Sequence, residues 1–316
     1  MARLRSNPKL PEGINRSDEH PLKEFAWLLA GVSLALVGAV VILSLLVGWL
    51  APAIPFRWES ALTDRYEQSL SGAADESRTS QLEAAEQAVK DLGASLVATQ
   101  QAEAVLLPED QDIRYYFHLL SESTPNAFAT LGGHIFVTTG LLRQVHSENA
   151  LAMVIAHEMA HITQRHPVQA LSRGALFQLL LLMVTGGQGM DGISGVLGQA
   201  GLLTVLSFNR EMERDADREA IDLLLARYGH LQGADEFFQK MLSLQGDTGW
   251  VQWAQTHPGV GERLSAIERR NPASHADEAE LTPLDERLIR WQDSSDLGVS
   301  DDDEPGSAAH PGFSSL

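Results

Sequence analysis

A chain of 316 residues, 44% of them hydrophobic, has enough material for a sizeable core plus appendages. It contains no cysteine, which excludes disulfide frameworks, thiolate metal sites and thiol nucleophiles, so any metal must be held by His and carboxylate. The formal net charge is −19, and a surface that acidic repels phosphate backbones, which sets nucleic acid aside as a partner.

Residues 1–24 make a polar, charged arm, read as cytoplasmic. From Phe25 to Leu50 no residue is charged, enough for one helical crossing of about 30 Å of hydrocarbon. Trp27 and Trp49 sit near the two ends, where indoles favour the interface, and Pro52 and Pro55 stop the helix. The run outlasts the apolar core of a cleaved signal peptide, about 7–15 residues, so an uncleaved anchor is expected. Arg3, Arg5, Lys9, Arg16 and Lys23 precede the span, while Arg57 and Arg65 alone follow closely. That bias puts the N-terminus in the cytoplasm and the bulk of the chain on the outer face. The acids Glu12, Asp18, Glu19 and Glu24 in the arm are unlike a mitochondrial presequence, and a bacterial inner membrane is the simplest setting.

Residues 51–79 read as a polar linker, with a domain expected over 80–270. Leu82, Ala85, Val89 and Leu92 recur at helical steps. Strand-like stretches follow at Ile113 to Leu120 and Gly133 to Thr138, punctuated by Pro125-Asn126 and Gly132-Gly133. Ser147 to His166 predicts one strong helix with Ser147 as N-cap. Residues 174–208 are apolar but broken by glycines, and read as two helices of a loop near the site or at the membrane surface. Another helix is expected from Asn209 to Tyr228, ended by Gly229, and helical material continues from Ala234 to Leu244. Residues 271–316 form a polar, largely disordered acidic tail with one short helix at Leu284 to Trp291. The fold class expected is α+β, predominantly helical, with a small antiparallel sheet.

The chemistry centres on AHEMAH. His157 and His161 stand four apart, about 400° of helical turn, so both imidazoles leave one face and can bind one ion at about 2.0–2.1 Å. Glu158 lies about 100° round the axis, placed to reach a metal-bound water without being a ligand. The neighbours Ala152, Val154, Ile155, Ala156, Met159 and Ala160 make this helix largely buried, and buried His and Glu need partners. A catalytic site of this kind wants a third protein ligand. NREMERDADREA offers it in two registers, Glu211 with Asp215 or Glu213 with Asp217, the Asp holding a ligand histidine. Spacing alone does not choose.

The segments SENALAMVIAHEMAHITQRH, FNREMERDADREAIDLLLARYG, PNAFATLGGHIFVTTGLL and THPGVGER together resemble the membrane-associated zinc metalloendopeptidases that include HtpX-type heat-shock proteases and CAAX prenyl endopeptidases, in their single-anchor branch. The resemblance covers about residues 80–270 and implies a zincin-like fold, one Zn2+ per chain and cleavage of protein or peptide substrates. It also selects the register: the ligand Glu four residues before the Asp of Ala216-Asp217 is Glu213, with Asp217 in support. Glu158 is then the general base, and His257 or Arg263 the donor for the oxyanion, His257 being the better candidate and Arg263 alternatively a structural ion pair with one of the acidic helices. His257 alternatively caps the open metal position.

An edge strand that pairs with extended substrate is expected from Asn126 to Gly133 and the strand after it, with Asn126, Gly132, Gly133 and Ile135 as substrate-binding positions. His118, His134, His146 and His166 receive no metal role. The function expected is hydrolysis of envelope or misfolded proteins. The alternative is a chaperone or assembly factor that holds extended clients in the same groove.

Overall fold

The computed structural model describes residues 21–50, 55–56, 59, 79–103, 113–171, 208–243, 257–271 and 280–296. The two-helix loop expected over 174–208 lies outside them except for Phe208, as do the first 20 residues and the tail beyond 296.

Helix α1 spans Pro21–Leu50. Its apolar side chains, among them Phe25, Leu34, Leu45 and Leu50, are exposed rather than packed on the domain. It is the one helix among the described residues long and apolar enough to cross a membrane. Beyond it, the expected polar linker turns inward at two places: Phe56 and Glu59 are both buried.

Helix α2 (Ser80–Ala102) begins where the Thr79 hydroxyl accepts from the Leu82 N–H, and it buries the stripe Ala85, Ala88, Val89, Leu92 and Leu96. The strands β1 (Tyr116–Leu120), β2 (Ala127–Ala129) and β3 (His134–Thr138) form one sheet in the order β1-β3-β2. The expected small sheet is present, and its pairing is mixed: β1 runs parallel to β3, with Phe117 opposite Ile135, and β2 antiparallel, with Ala129 opposite Ile135. The cause is the route of the chain. After β1 it crosses to the far side of the sheet, then returns through the short turn Leu131–Gly133 to place β3 in the middle. Gly133 has φ +85°, and a Cβ there would meet the Arg114 carbonyl oxygen at 1.8 Å, so only glycine fits.

A short helix α3 (Thr139–Leu142) leads to α4 (Glu148–Thr163). Ser147 caps α4 as expected, its hydroxyl accepting from the Ala150 N–H at 3.2 Å. Every residue of α4 from Asn149 to Thr163 is buried, so this helix is the axis of the domain rather than a surface element. Helix α5 (Arg210–Tyr228) packs along it. Asn209 caps α5 by accepting from the Glu211 and Met212 N–H groups, and Gly229 ends it at φ 74°.

Helix α6 (Glu236–Ser243) packs on α4, helix α7 (Val260–Arg270) packs on α5, and the two touch each other. The last helix, α8, runs Glu286–Asp296. It packs on α2, and Leu284, Leu288 and Trp291 enter the main core, so part of the segment read as tail completes the domain. Gln292 fastens it by donating to the Leu142 and Val145 carbonyls.

Candidate metal centre

Four residues from three segments meet in the interior. His157 and His161 come from α4, Glu213 from the first turns of α5, and His257 from the segment just before α7. One ligand atom of each lies within 4.8 Å of all the others, and all four residues are buried. The Nε2 atoms of His157 and His161 are 3.0 Å apart; His157 Nε2 lies 3.4 Å from Glu213 Oε2 and His161 Nε2 lies 3.4 Å from Glu213 Oε1. Such spacings, close to the about 3.3 Å between donors that share an ion at about 2.0–2.1 Å, leave either Glu213 oxygen within reach of an ion held by the two imidazoles. Imidazole nitrogens and a carboxylate brought together in the interior are the donor types that hold a divalent metal such as zinc.

The charges make the same point. Burial raises the Glu213 carboxyl, but the His257 charge and hydrogen bonds from His157, His161 and His257 outweigh it and hold the group well below its ordinary value. Burial and the Arg263 cation push His157 down, yet Asp217 and Glu213 raise it to about 9. A cation at this cluster would therefore sit beside a carboxylate that is already ionised. Burial holds His161 well below its ordinary value, against the pull of Glu213, so it is a neutral imidazole ready to act as a ligand.

Around this cluster the supports are specific. Asp217, one turn after Glu213, places Oδ1 3.0 Å from His157 Nδ1 and so orients that ring. Arg263 is among the largest fully buried side chains. Its Nη2 donates to Glu213 Oε2 at 2.6 Å and its Nε donates to Asp217, so it is the structural ion pair between α7 and α5. It takes one oxygen of Glu213 and leaves Oε1 facing His161 and His257. Glu211, the competing register, is exposed, whereas Glu213 and Asp217 are buried.

Glu158 stands at the wall of the cluster. Its Oε1 is 3.6 Å from His257 Nε2, and its Oε2 is buried with no hydrogen-bond partner among the described residues. His257 Nδ1 lies 3.3 Å from Glu213 Oε1, and its Nε2 faces the Ala127 carbonyl at 3.3 Å. His257 therefore joins the cluster, the base and strand β2.

The expected substrate strand needs correction. β3 is the central strand, paired on both sides, and Ile135 is fully buried on the face toward the helices, so LGGHIFV has no free edge to offer. Gly132 and Gly133 are buried in the turn that joins β2 to β3. The edge beside the metal cluster is β2, which Asn126 precedes; Asn126 is buried, its N–H donates to Thr138, and its Oδ1 has no hydrogen-bond partner among the described residues. The register of an edge strand three residues long left little pattern to read. His166 also lies closer to the site than expected, with Nδ1 2.8 Å from His161 Nδ1.

The sequence profile of peptidase family M48 matches residues 85–271, more than half of the chain. The chain belongs to peptidase family M48. Among curated relatives, it is 33% identical over 198 residues to the β-barrel assembly-enhancing protease of Yersinia pestis, covering 58% of this chain and 38% of that one. It is 31% identical over 163 residues to the mitochondrial metalloendopeptidase OMA1 of Schizosaccharomyces pombe, covering 51% and 48%. The Escherichia coli (strain K12) β-barrel assembly-enhancing protease is 31% identical over 196 residues, covering 58% and 38%. These relatives are assembly-enhancing and OMA1 proteases, not the HtpX-type and CAAX prenyl proteases that the motifs resemble at family level. The chain spans less than half the length of each of the three. The M48 match encloses every member of the metal cluster.

Proposed function

We propose that this M48 member is a zinc endopeptidase in which His157, His161 and Glu213 hold the metal and Glu158 is the general base. The observation that carries the reading is the buried convergence of those three side chains, the two Nε2 atoms 3.0 Å apart and each 3.4 Å from a different oxygen of Glu213, with the free Glu158 carboxylate oxygen beside them. Zinc in such a site polarises the scissile carbonyl and lowers the pKa of a water toward 7. Glu158 takes the proton of the attacking water at Oε2 and passes it to the leaving amine. Asp217 keeps His157 in register through Nδ1, and Arg263 holds both acids in place. Extended substrate lies along β2, led in by Asn126, where main-chain pairing provides affinity with little side-chain preference.

His257 has two possible roles: oxyanion donor, or cap of the fourth metal position. Its place among four mutually close donors favours the cap. A cap predicts that His257→Ala raises peptide cleavage; an oxyanion donor predicts a fall of about 10²–10³ in kcat.

We further propose that residues 25–50 anchor the protein, with the arm cytoplasmic and the domain on the periplasmic face of a bacterial inner membrane. The charge bias and the exposed apolar surface of α1 support this. The substrates proposed are envelope or misfolded proteins, in line with relatives named β-barrel assembly-enhancing protease. That name also supports the second reading, an assembly factor holding clients in the same groove. Chelation decides the first point: casein cleavage by the purified protein should vanish on metal removal and return with about one equivalent of zinc. Unchanged cleavage after complete metal removal would sink the reading.

A further inference from the structure

His161 needs an orienting partner as His157 does, and among the described residues no carboxylate is placed at its Nδ1. The partner at its Nδ1 is another imidazole, His166 Nδ1, at 2.8 Å. Both residues are buried, and Phe208 stacks on the His161 ring at 3.9 Å while leaning on His166 at 5.9 Å.

Regular helix does not produce this contact. Five residues of α-helix turn about 500°, which would leave the two rings about 140° apart. The helix ends instead at Thr163, and Arg165 takes φ 62°, the one non-glycine residue with positive φ among those described. That left-handed residue turns the chain so that His166 comes back over the end of α4. The conformation costs about 1–2 kcal/mol for a residue with a Cβ. It is held by the segment that follows α1: Glu59 accepts from Arg165 Nη2 at 2.6 Å with both side chains buried, and the guanidinium lies 5.4 Å from the Phe56 ring centre. Glu59 also accepts from the Gly132 N–H at 3.4 Å.

The chemistry then assigns the protons. His161 Nε2 is the atom in the metal cluster, so its lone pair must stay free. A neutral imidazole carries its hydrogen on the other nitrogen, Nδ1. That N–H has His166 Nδ1 before it, which must accept, so His166 carries its own hydrogen on Nε2.

We propose that His166 is a positioning residue for the metal site, which accepts the Nδ1–H of His161 and so aims His161 Nε2 at the metal. This rests on the ligand set proposed above. The site is thereby asymmetric: His157 leans on a carboxylate, Asp217, and His161 on a neutral ring. The strand of chain just behind the apolar helix secures the second support through Arg165.

The test uses the full-length protein in detergent and zinc affinity by chelator competition, not activity. Leu and Asn are close in shape, but only Asn offers an acceptor oxygen. His166→Leu should weaken zinc binding about 10–100-fold, the usual range for loss of an outer-shell partner. His166→Asn should stay within about threefold of wild type. Equal affinity for wild type and His166→Leu overturns the proposal, and so does equal weakening in both variants, which would mean packing alone. ¹⁵N imidazole spectra of the wild type give an answer independent of any variant's folding. A proton on His166 Nε2 with a bare Nδ1 supports the proposal, and a proton on His166 Nδ1 overturns it. If the wild type binds no zinc, the ligand reading itself fails and the proposal falls with it. Zinc binding that His166→Leu leaves intact removes the proposal alone.

Discussion

Replacing Arg263 by Met tests whether the acids of the cluster are held by buried charge. The side chain is fully buried between α5 and α7, so Met keeps most of the apolar volume and removes the cation. Two charge-assisted hydrogen bonds go with it, one to Glu213 at 2.6 Å and one to Asp217. At about 1.5–3 kcal/mol each, they sum to about 3–6 kcal/mol, in line with the about 3–5 kcal/mol lost when one partner of a buried pair is removed. The Arg263 guanidinium also lies 4.8 Å from the Phe238 ring centre, a contact that Met largely replaces. Without the cation, Glu213 and Asp217 are left with the histidines as their only described counter-charges. Zinc brings positive charge to Glu213, so the deficit should shrink when the metal is present. Urea unfolding of wild type and Arg263→Met, each with chelator and with zinc, gives the four numbers required. A loss below about 1 kcal/mol under chelator would refute the reasoning, as would an identical loss in both conditions.

Other consequences follow from single positions. Gly133→Ala must push a Cβ into the Arg114 carbonyl, whereas Gly229→Ala, also at positive φ, meets nothing within 4 Å. The first should cost about 1–3 kcal/mol more than the second in urea unfolding, from overpacking on top of the shared left-handed penalty, and equal costs would contradict the packing described. His118 is driven down to about 4 by burial and by His134 beside it, against about 6.5 in an unfolded chain. Between those values the unfolded chain binds more protons than the folded one, so stability rises with pH from about 4 to 6.5. His118→Phe should flatten the pH dependence of the melting temperature across that window, and an unchanged slope would count against it. Glu59→Leu leaves Arg165 buried without its carboxylate, at a cost of about 3–5 kcal/mol, measured by thermal or urea unfolding. A loss under about 1 kcal/mol would mean that the segment behind α1 is not fastened to the domain.

The helices were legible because their signals are local. Ser147 and Asn209 cap, Gly229 stops, and the apolar periods lie within one element. The choice between Glu211 and Glu213 was not legible in the i,i+4 spacing, which both registers satisfy, and it shows in the folded helix. On α5 the buried positions Met212, Glu213, Ala216, Asp217 and Ala220 form one face with Ile221 and Leu224, and Glu211 falls off it. The small stripe Leu284, Leu288 and Trp291 at helical spacing likewise marks α8 as a packed helix, though polar neighbours disguise it. What could not be read depends on pairing across the chain. β3 looks like any apolar strand until the crossover places it between two others. Arg263 finds its acids about fifty positions away, and Glu59 reaches Arg165 from behind the apolar helix. The return of His166 to His161 hangs on one left-handed residue that carries no glycine to announce it.

The central claim is that the carboxylate of Glu158 moves the proton while His157, His161 and Glu213 hold the metal. It is tested most directly by purifying wild type and Glu158→Gln and measuring zinc content and casein cleavage on the same samples. About one zinc per chain in both, with cleavage lost only in Glu158→Gln, is the predicted result. Cleavage at the wild-type rate by Glu158→Gln, or a wild type that purifies without zinc and cannot be loaded with it, would contradict the account.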